Sequence, residues 1–100
     1  MKLKDRIALV TGGGSGLGRG IALAFAREGA KVAICGRNEE RLQKVKEEIE
    51  EFGVEALAVQ ADVASSSQVK DLFAKVLTRF GTLDILVNNA GIFRSDDEGV

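Results

Sequence analysis

The 100-residue chain contains no Tyr, no His, no Trp and no Pro, and only one Cys. Without His there is no Ser-His-Asp or Cys-His catalytic group and no imidazole ligand for a metal, so no metal site is expected. Without Tyr there is no phenol to donate a proton. Chemistry in this chain must run on Ser, Thr, Asn, Lys, Arg, carboxylates or a bound cofactor. A single Cys makes no internal disulfide, the Met1-Lys-Leu-Lys start lacks the apolar stretch of a signal peptide, and no run approaches the roughly 18 apolar residues of a membrane span. These absences lead to the expectation of a soluble, cytoplasmic protein in a reducing compartment. Charge of one sign is missing too: 14 basic and 15 acidic side chains leave a net charge of -1. Such a balance gives no field suited to a nucleic acid or an anionic membrane, and neither is an expected partner. What is present, 45% hydrophobic and 29% charged residues, belongs to one small folded domain or part of a larger one.

Arg6 to Thr11 is a short apolar run closed by Gly12, Gly13 and Gly14, the pattern of a strand buried on both faces and ended by a turn. Ser15 to Glu28 is helical in period, with Leu17, Ile21, Ala24 and Phe25 on one face and Gly29 as a stop. A second strand, Lys31 to Gly36, leads to a helix over Asn38 to Phe52. Asn38 is its cap, Leu42, Val45, Ile49 and Phe52 form its apolar stripe, and Glu40 and Lys44 are paired at i,i+4. Val54 to Gln60 reads as a third strand. Ser65 and Gln68 form a capping box ahead of the stripe Val69, Leu72, Phe73, Val76 and Phe80, which Gly81 ends. Leu83 to Asn88 is a fourth strand. The order βαβαβαβ with apolar strands calls for an α/β fold, a doubly wound parallel sheet covered by helices on both faces, and here for half of one. Such sheets bind ligands beyond the carboxyl ends of their strands.

The polar and Gly-rich segments fall at those ends. Thr11-Gly-Gly-Gly-Ser-Gly-Leu-Gly18 joins a strand to a helix, where glycine allows both a tight turn and close backbone approach to a phosphate. It matches T-G-x-x-x-G-x-G and not G-x-G-x-x-G, and no Lys-Ser or Lys-Thr follows to make a P-loop. Asp62 taken alone reads more readily as a loop residue or helix-approach cap than as a ligand contact. Cys35 reads as a small core residue, and Ser65, Ser66 and Ser67 as caps, since no His exists to activate them.

These two motifs, Thr11 to Gly18 and Asn88-Asn-Ala-Gly91 after the fourth strand, with Asp62 between them, closely resemble the short-chain dehydrogenase/reductase family. The resemblance runs over essentially the whole chain. It implies a Rossmann-like fold and a nicotinamide dinucleotide, with Gly12, Ser15, Gly16, Leu17 and Gly18 around its ribose and pyrophosphate. It further implies Asp62 and Val63 beside the adenine, and Asn89, Ala90 and Gly91 near the adenosine ribose. The end of the second strand bears on which dinucleotide binds. NAD sites usually carry Asp or Glu there for the ribose 2'-hydroxyl, whereas this chain has Gly36-Arg37-Asn38, with a guanidinium able to meet a 2'-phosphate. NADP(H) is therefore favoured, with NAD(H) the alternative. Arg19 reads equally as a second phosphate contact or as a solvated residue.

The family's Tyr-x-x-x-Lys pair and upstream Ser lie past its fourth strand, so the expectation is that residues 1–100 form the N-terminal, cofactor-binding part of one Rossmann-like domain without the catalytic part. The resemblance implies an NADP-dependent oxidoreductase interconverting a carbonyl and an alcohol, a 3-oxoacyl reductase for instance, and a homo-oligomer. The alternative is a stand-alone dinucleotide-binding or interaction module without catalysis. Ile85, Leu86 and Val87 would present an exposed apolar edge unless further strands cover them.

Overall fold

Four apolar runs become strands, and three amphipathic runs become the helices that cross between them. A computed structural model describes residues 2–89. In chain order the elements are β1 (Ile7–Thr11), α1 (Gly16–Arg27), β2 (Lys31–Gly36), α2 (Glu39–Glu50), β3 (Ala56–Gln60), α3 (Ser66–Phe80) and β4 (Ile85–Val87). The strands are all parallel in the order β3-β2-β1-β4. The chain therefore steps outward from β1 through β2 to β3 and then returns to the other side of β1. That reversal makes the carboxyl ends of β1 and β4 a topological switch point, where open α/β sheets place their ligands.

β1 is the most enclosed strand, with all five residues buried. Alternate side chains feed two cores. Val10, Val32 and Ile34 pack with Ala22, Ala26, Leu42, Val45 and Ile49 of α1 and α2 on one face. Ile7, Leu9, Ala33 and Cys35 pack with Leu72 and Val76 of α3 on the other. The period-2 alternation of a strand buried on both sides is thus divided between helices from both faces.

The structure shifts several sequence expectations. β3 and β4 are shorter than the apolar runs that contain them, because ladder pairing ends at Ala56 on one strand and covers only Ile85–Val87 on the other. α1 fully buries Gly18, Ala22 and Ala26; of the apolar face read from the sequence, Ile21 and Phe25 are half-buried against the same core, whereas Ala24 is exposed and Leu17 is 60% exposed. Small residues at i, i+4 and i+8 let the helix backbone lie close on the sheet, and large side chains there would hold it off. Phe52, expected inside, is 40% exposed beneath the Arg27 guanidinium, which stands 5.8 Å from its ring centroid. On α2 the ion pair that forms is Lys46–Glu50 at 3.0 Å, between partly shielded side chains, and not Glu40–Lys44.

β4 is fastened to β1 by more than its ladder. The Asp84 carboxylate accepts from the Ile7 amide at 2.9 Å, and the Asp84 amide donates to the Ile7 carbonyl at 2.9 Å. Asp84→Ala leaves the Ile7 N–H without its acceptor and should cost about 1 kcal/mol, read as a lower urea midpoint at unchanged m-value. An unmoved midpoint would remove Asp84 from the account of how β4 is held.

Candidate functional site

The carboxyl ends of the four strands open into a cleft of about 630 Å³, within the range of small-molecule and cofactor sites. Thr11 and Gly12 stand at the end of β1, Gly36 and Arg37 at β2, Ala61 to Ala64 after β3, and Asn88 after β4. Val69, Leu72 and Phe73 of α3, with Leu86, close its apolar side.

The turn from β1 to α1 is built around close backbone approach. Gly12 has φ of 67° and Gly16 of 59°, in the left-handed region where a side chain is strained. Gly13 donates to the Cys35 carbonyl at 3.1 Å, and a Cβ placed on it would come within 2.6 Å of Ile34. Gly18 lies directly under the turn: a Cβ there would collide with the Gly12 carbonyl oxygen and approach the Asn89 amide nitrogen to 2.9 Å. Asn89 is buried, its Nδ2 reaches the Gly12 carbonyl at 3.5 Å, and its Oδ1 has no partner among the described residues. The Thr11 hydroxyl lies within donating distance of the Val87 carbonyl (3.3 Å) and Asn88 Oδ1 (3.2 Å), linking the same two strand ends.

The helix termini differ in a way that bears on anions. Asn38 caps α2 by accepting from the Arg41 amide, and Ser65 caps α3 by accepting from the Gln68 amide. Ser15, extended at φ of -163°, makes no side-chain cap on α1. The first amides of α1 thus keep their hydrogen-bonding capacity beside the glycine turn.

Gly12, Arg37, Asp62 and Val63 line the cleft, with Asn89 behind Gly12. Ser15, Gly16 and Leu17 are exposed on the turn and first helical residues, and Gly18 is buried below them. Ala90 and Gly91 lie outside the described residues. Arg37 is exposed and its guanidinium has no partner among the described residues, while its carbonyl accepts from Gln60 Nε2 at 3.1 Å. Arg19 is engaged elsewhere: its Nε and Nη2 donate to the two carboxylate oxygens of Glu48 at 2.8 and 2.6 Å. The hydrogen bond from Arg19 holds the Glu48 carboxyl below its usual range, and the same bond raises the Arg19 pKa. The Arg19 side chain, 46% exposed, is thus neither a free cation at the turn nor simply solvated, but half of an ion pair between α1 and α2. Burial pushes the Cys35 thiol up, with a hydrogen bond from Gly12 partly opposing it, in keeping with a core residue.

Sequence reasoning missed the apolar side of the cleft. Val69 and Phe73 read as helix stripe, yet both are only half-buried and form its wall. Their place in the first two turns of a helix that follows a strand end was the available signal.

The short chain dehydrogenase family model matches residues 6–99, and the chain belongs to that family. It is 47% identical over 91 residues to the short chain dehydrogenase/reductase dpmpG of Macrophomina phaseolina, covering 90% of this chain and 52% of that protein. It is 48% identical over 90 residues to the 3-oxoacyl-[acyl-carrier-protein] reductase FabG of Staphylococcus aureus, covering 89% of this chain and 37% of that one. The fold matches NAD+-bound xylitol dehydrogenase with a TM-score of 0.88 at 38% identity, over 91% of this chain and 35% of that chain. The chain thus spans between about a third and a half of the length of these relatives. No described helix is long and apolar enough to cross a membrane.

Two glycines of α1, exposed Gly20 and buried Gly18, give opposite expectations. Gly20 has open space around it, so Gly20→Ala should stabilise the protein by about 0.5–1 kcal/mol, the helix-propensity gain. Gly18→Ala should destabilise it by about 1–3 kcal/mol through overpacking. Urea titration of both variants reads the two signs directly. The Arg19–Glu48 pair has a pH signature: with the folded carboxyl depressed, its contribution is complete above the ordinary value of 4.5 and fades as pH falls through the lower folded value. Arg19→Ala should therefore shrink the loss of stability on acidification, and an unchanged acid limb would count against the pair.

Proposed function

We propose that this chain is the cofactor-binding part of an NADP(H)-dependent short-chain dehydrogenase/reductase, and that the rest of its Rossmann-like domain holds the catalytic Tyr-x-x-x-Lys. The observation that carries the cofactor reading is Arg37. It stands at the end of β2 on the cleft wall, free of any acidic partner among the described residues, where a carboxylate would serve a ribose 2'-hydroxyl. A guanidinium there suits a 2'-phosphate through paired donors.

The residues present fit a dinucleotide. The close contact of Gly18 with Gly12 brings backbone to the cleft floor, and the uncapped start of α1, with Ser15, Gly16 and Leu17, offers amides for a pyrophosphate. Asp62 and Val63 would border the adenine, and Asn89, Ala90 and Gly91 would lie near the adenosine ribose. Bound in this way, the cofactor supplies hydride exchange between a nicotinamide ring and a carbonyl or alcohol carbon. The protein's part in these 100 residues is to bind and orient; they contain no Tyr to move the accompanying proton. The similarity to a 3-oxoacyl reductase supports a 3-oxoacyl or related ketone as substrate of the whole enzyme.

Titration with NADPH and NADH, followed by nicotinamide fluorescence, should show tighter binding of NADPH. Arg37→Asp should reduce that preference about tenfold or more, the scale of one charge-assisted hydrogen bond. Equal affinities in the parent protein, or an unchanged preference in the variant, would refute the assignment of Arg37.

A further inference from the structure

Asp62 and Val63 follow β3 in a loop that one side chain of α3 secures. Gln68 Oε1 accepts from the Asp62 amide at 2.8 Å. Asp62 in turn holds the two residues that lead into α3: its Oδ1 accepts from the Ala64 amide at 2.9 Å and its carbonyl from the Ser65 amide at 2.9 Å. Ser65 Oγ then accepts from the Gln68 amide at 3.4 Å, closing a ring of three hydrogen bonds through Asp62, Ser65 and Gln68, with the Ala64 bond beside it. A capping box would send the Gln68 side chain to the Ser65 amide. Here the Asp62 carbonyl already takes that amide, so Gln68 reaches one turn further back. The ring leaves Asp62 Oδ2 without a partner among the described residues, on a residue of the cleft wall.

Resting on the dinucleotide reading above, we propose that Gln68 is a positioning residue for base recognition. By pinning the Asp62 peptide it holds the carboxylate so that Oδ2 accepts from the exocyclic amine of the cofactor's base. An ionised carboxylate only accepts, so it favours adenine, which carries an amine donor, over hypoxanthine, which carries a carbonyl in its place.

The test compares the affinities of NADP+ and its hypoxanthine analogue for the protein and for Gln68→Leu, Gln68→Asn and Gln68→Glu. The parent protein should favour the adenine form about tenfold, as expected for one charge-assisted hydrogen bond. Gln68→Leu lacks the acceptor and Gln68→Asn is one methylene too short; each should bring the ratio several-fold towards one. Gln68→Glu keeps an acceptor at the right reach and should preserve it. General loosening of the protein weakens both ligands alike and leaves the ratio where it was. A parent ratio of one would overturn the placement of the base against Asp62. A parent ratio near ten that persists in both Gln68→Leu and Gln68→Asn would overturn the role of Gln68 alone.

Discussion

The close approach of Gly18 to the carbonyl of Gly12 is the constraint on which the site depends. It lets α1 begin directly beneath the turn that ends β1, with the Asn89 amide against the same carbonyl. A side chain on Gly18 would separate helix from strand and displace the end of β4 as well. The positive φ of Gly12 and Gly16 and the contact of Gly13 with Ile34 serve the same end, bringing bare backbone to the cleft. Four glycines act there for three different reasons: conformation at Gly12 and Gly16, core packing at Gly13, and backbone contact at Gly18.

The charged side chains around this turn differ in what they meet. Arg19 is one residue beyond the last motif glycine but is committed to Glu48, tying α1 to α2 on the far side of the turn. Arg37, on the cleft wall, has no side-chain partner among the described residues. α2 and α3 have side-chain caps in Asn38 and Ser65, whereas α1 has none from Ser15. Two arginines near the glycine turn thus differ in their surroundings: Arg19 has an acidic neighbour in space, and Arg37 has none among the described residues.

Most of the fold was legible in the sequence because its strands are apolar runs and its stops are glycines. Gly81, in the left-handed region at φ of 84°, ends α3 as expected. The strand ends carrying Thr11, Arg37, Asp62 and Asn88 were likewise recognisable as one set, since a parallel sheet must bring its carboxyl ends together. The buried face of α1 was legible only in part, through Ile21 and Phe25. Periodicity is dominated by large apolar residues, and Gly18, Ala22 and Ala26 contribute little to it although they make the close contact. The destination of Gln68 was hidden for another reason. A capping box specifies residue types at a spacing, and which amide the side chain meets depends on how the preceding loop is bent, a tertiary property.

The pairing of β1 with β4 also has a consequence in time. The Ile7 amide finds its acceptor 77 residues further along the chain, while β2, its other neighbour, follows within one helix. At roughly 5–20 residues per second on the ribosome, one flank of the most enclosed strand waits about 4 to 15 s for its partner. During that interval β1, β2 and the crossover helices form a sheet with an apolar open edge, the form in which a nascent chain is most prone to join a neighbour. Only three ladder residues of β4, with Asp84 beside them, end that exposure.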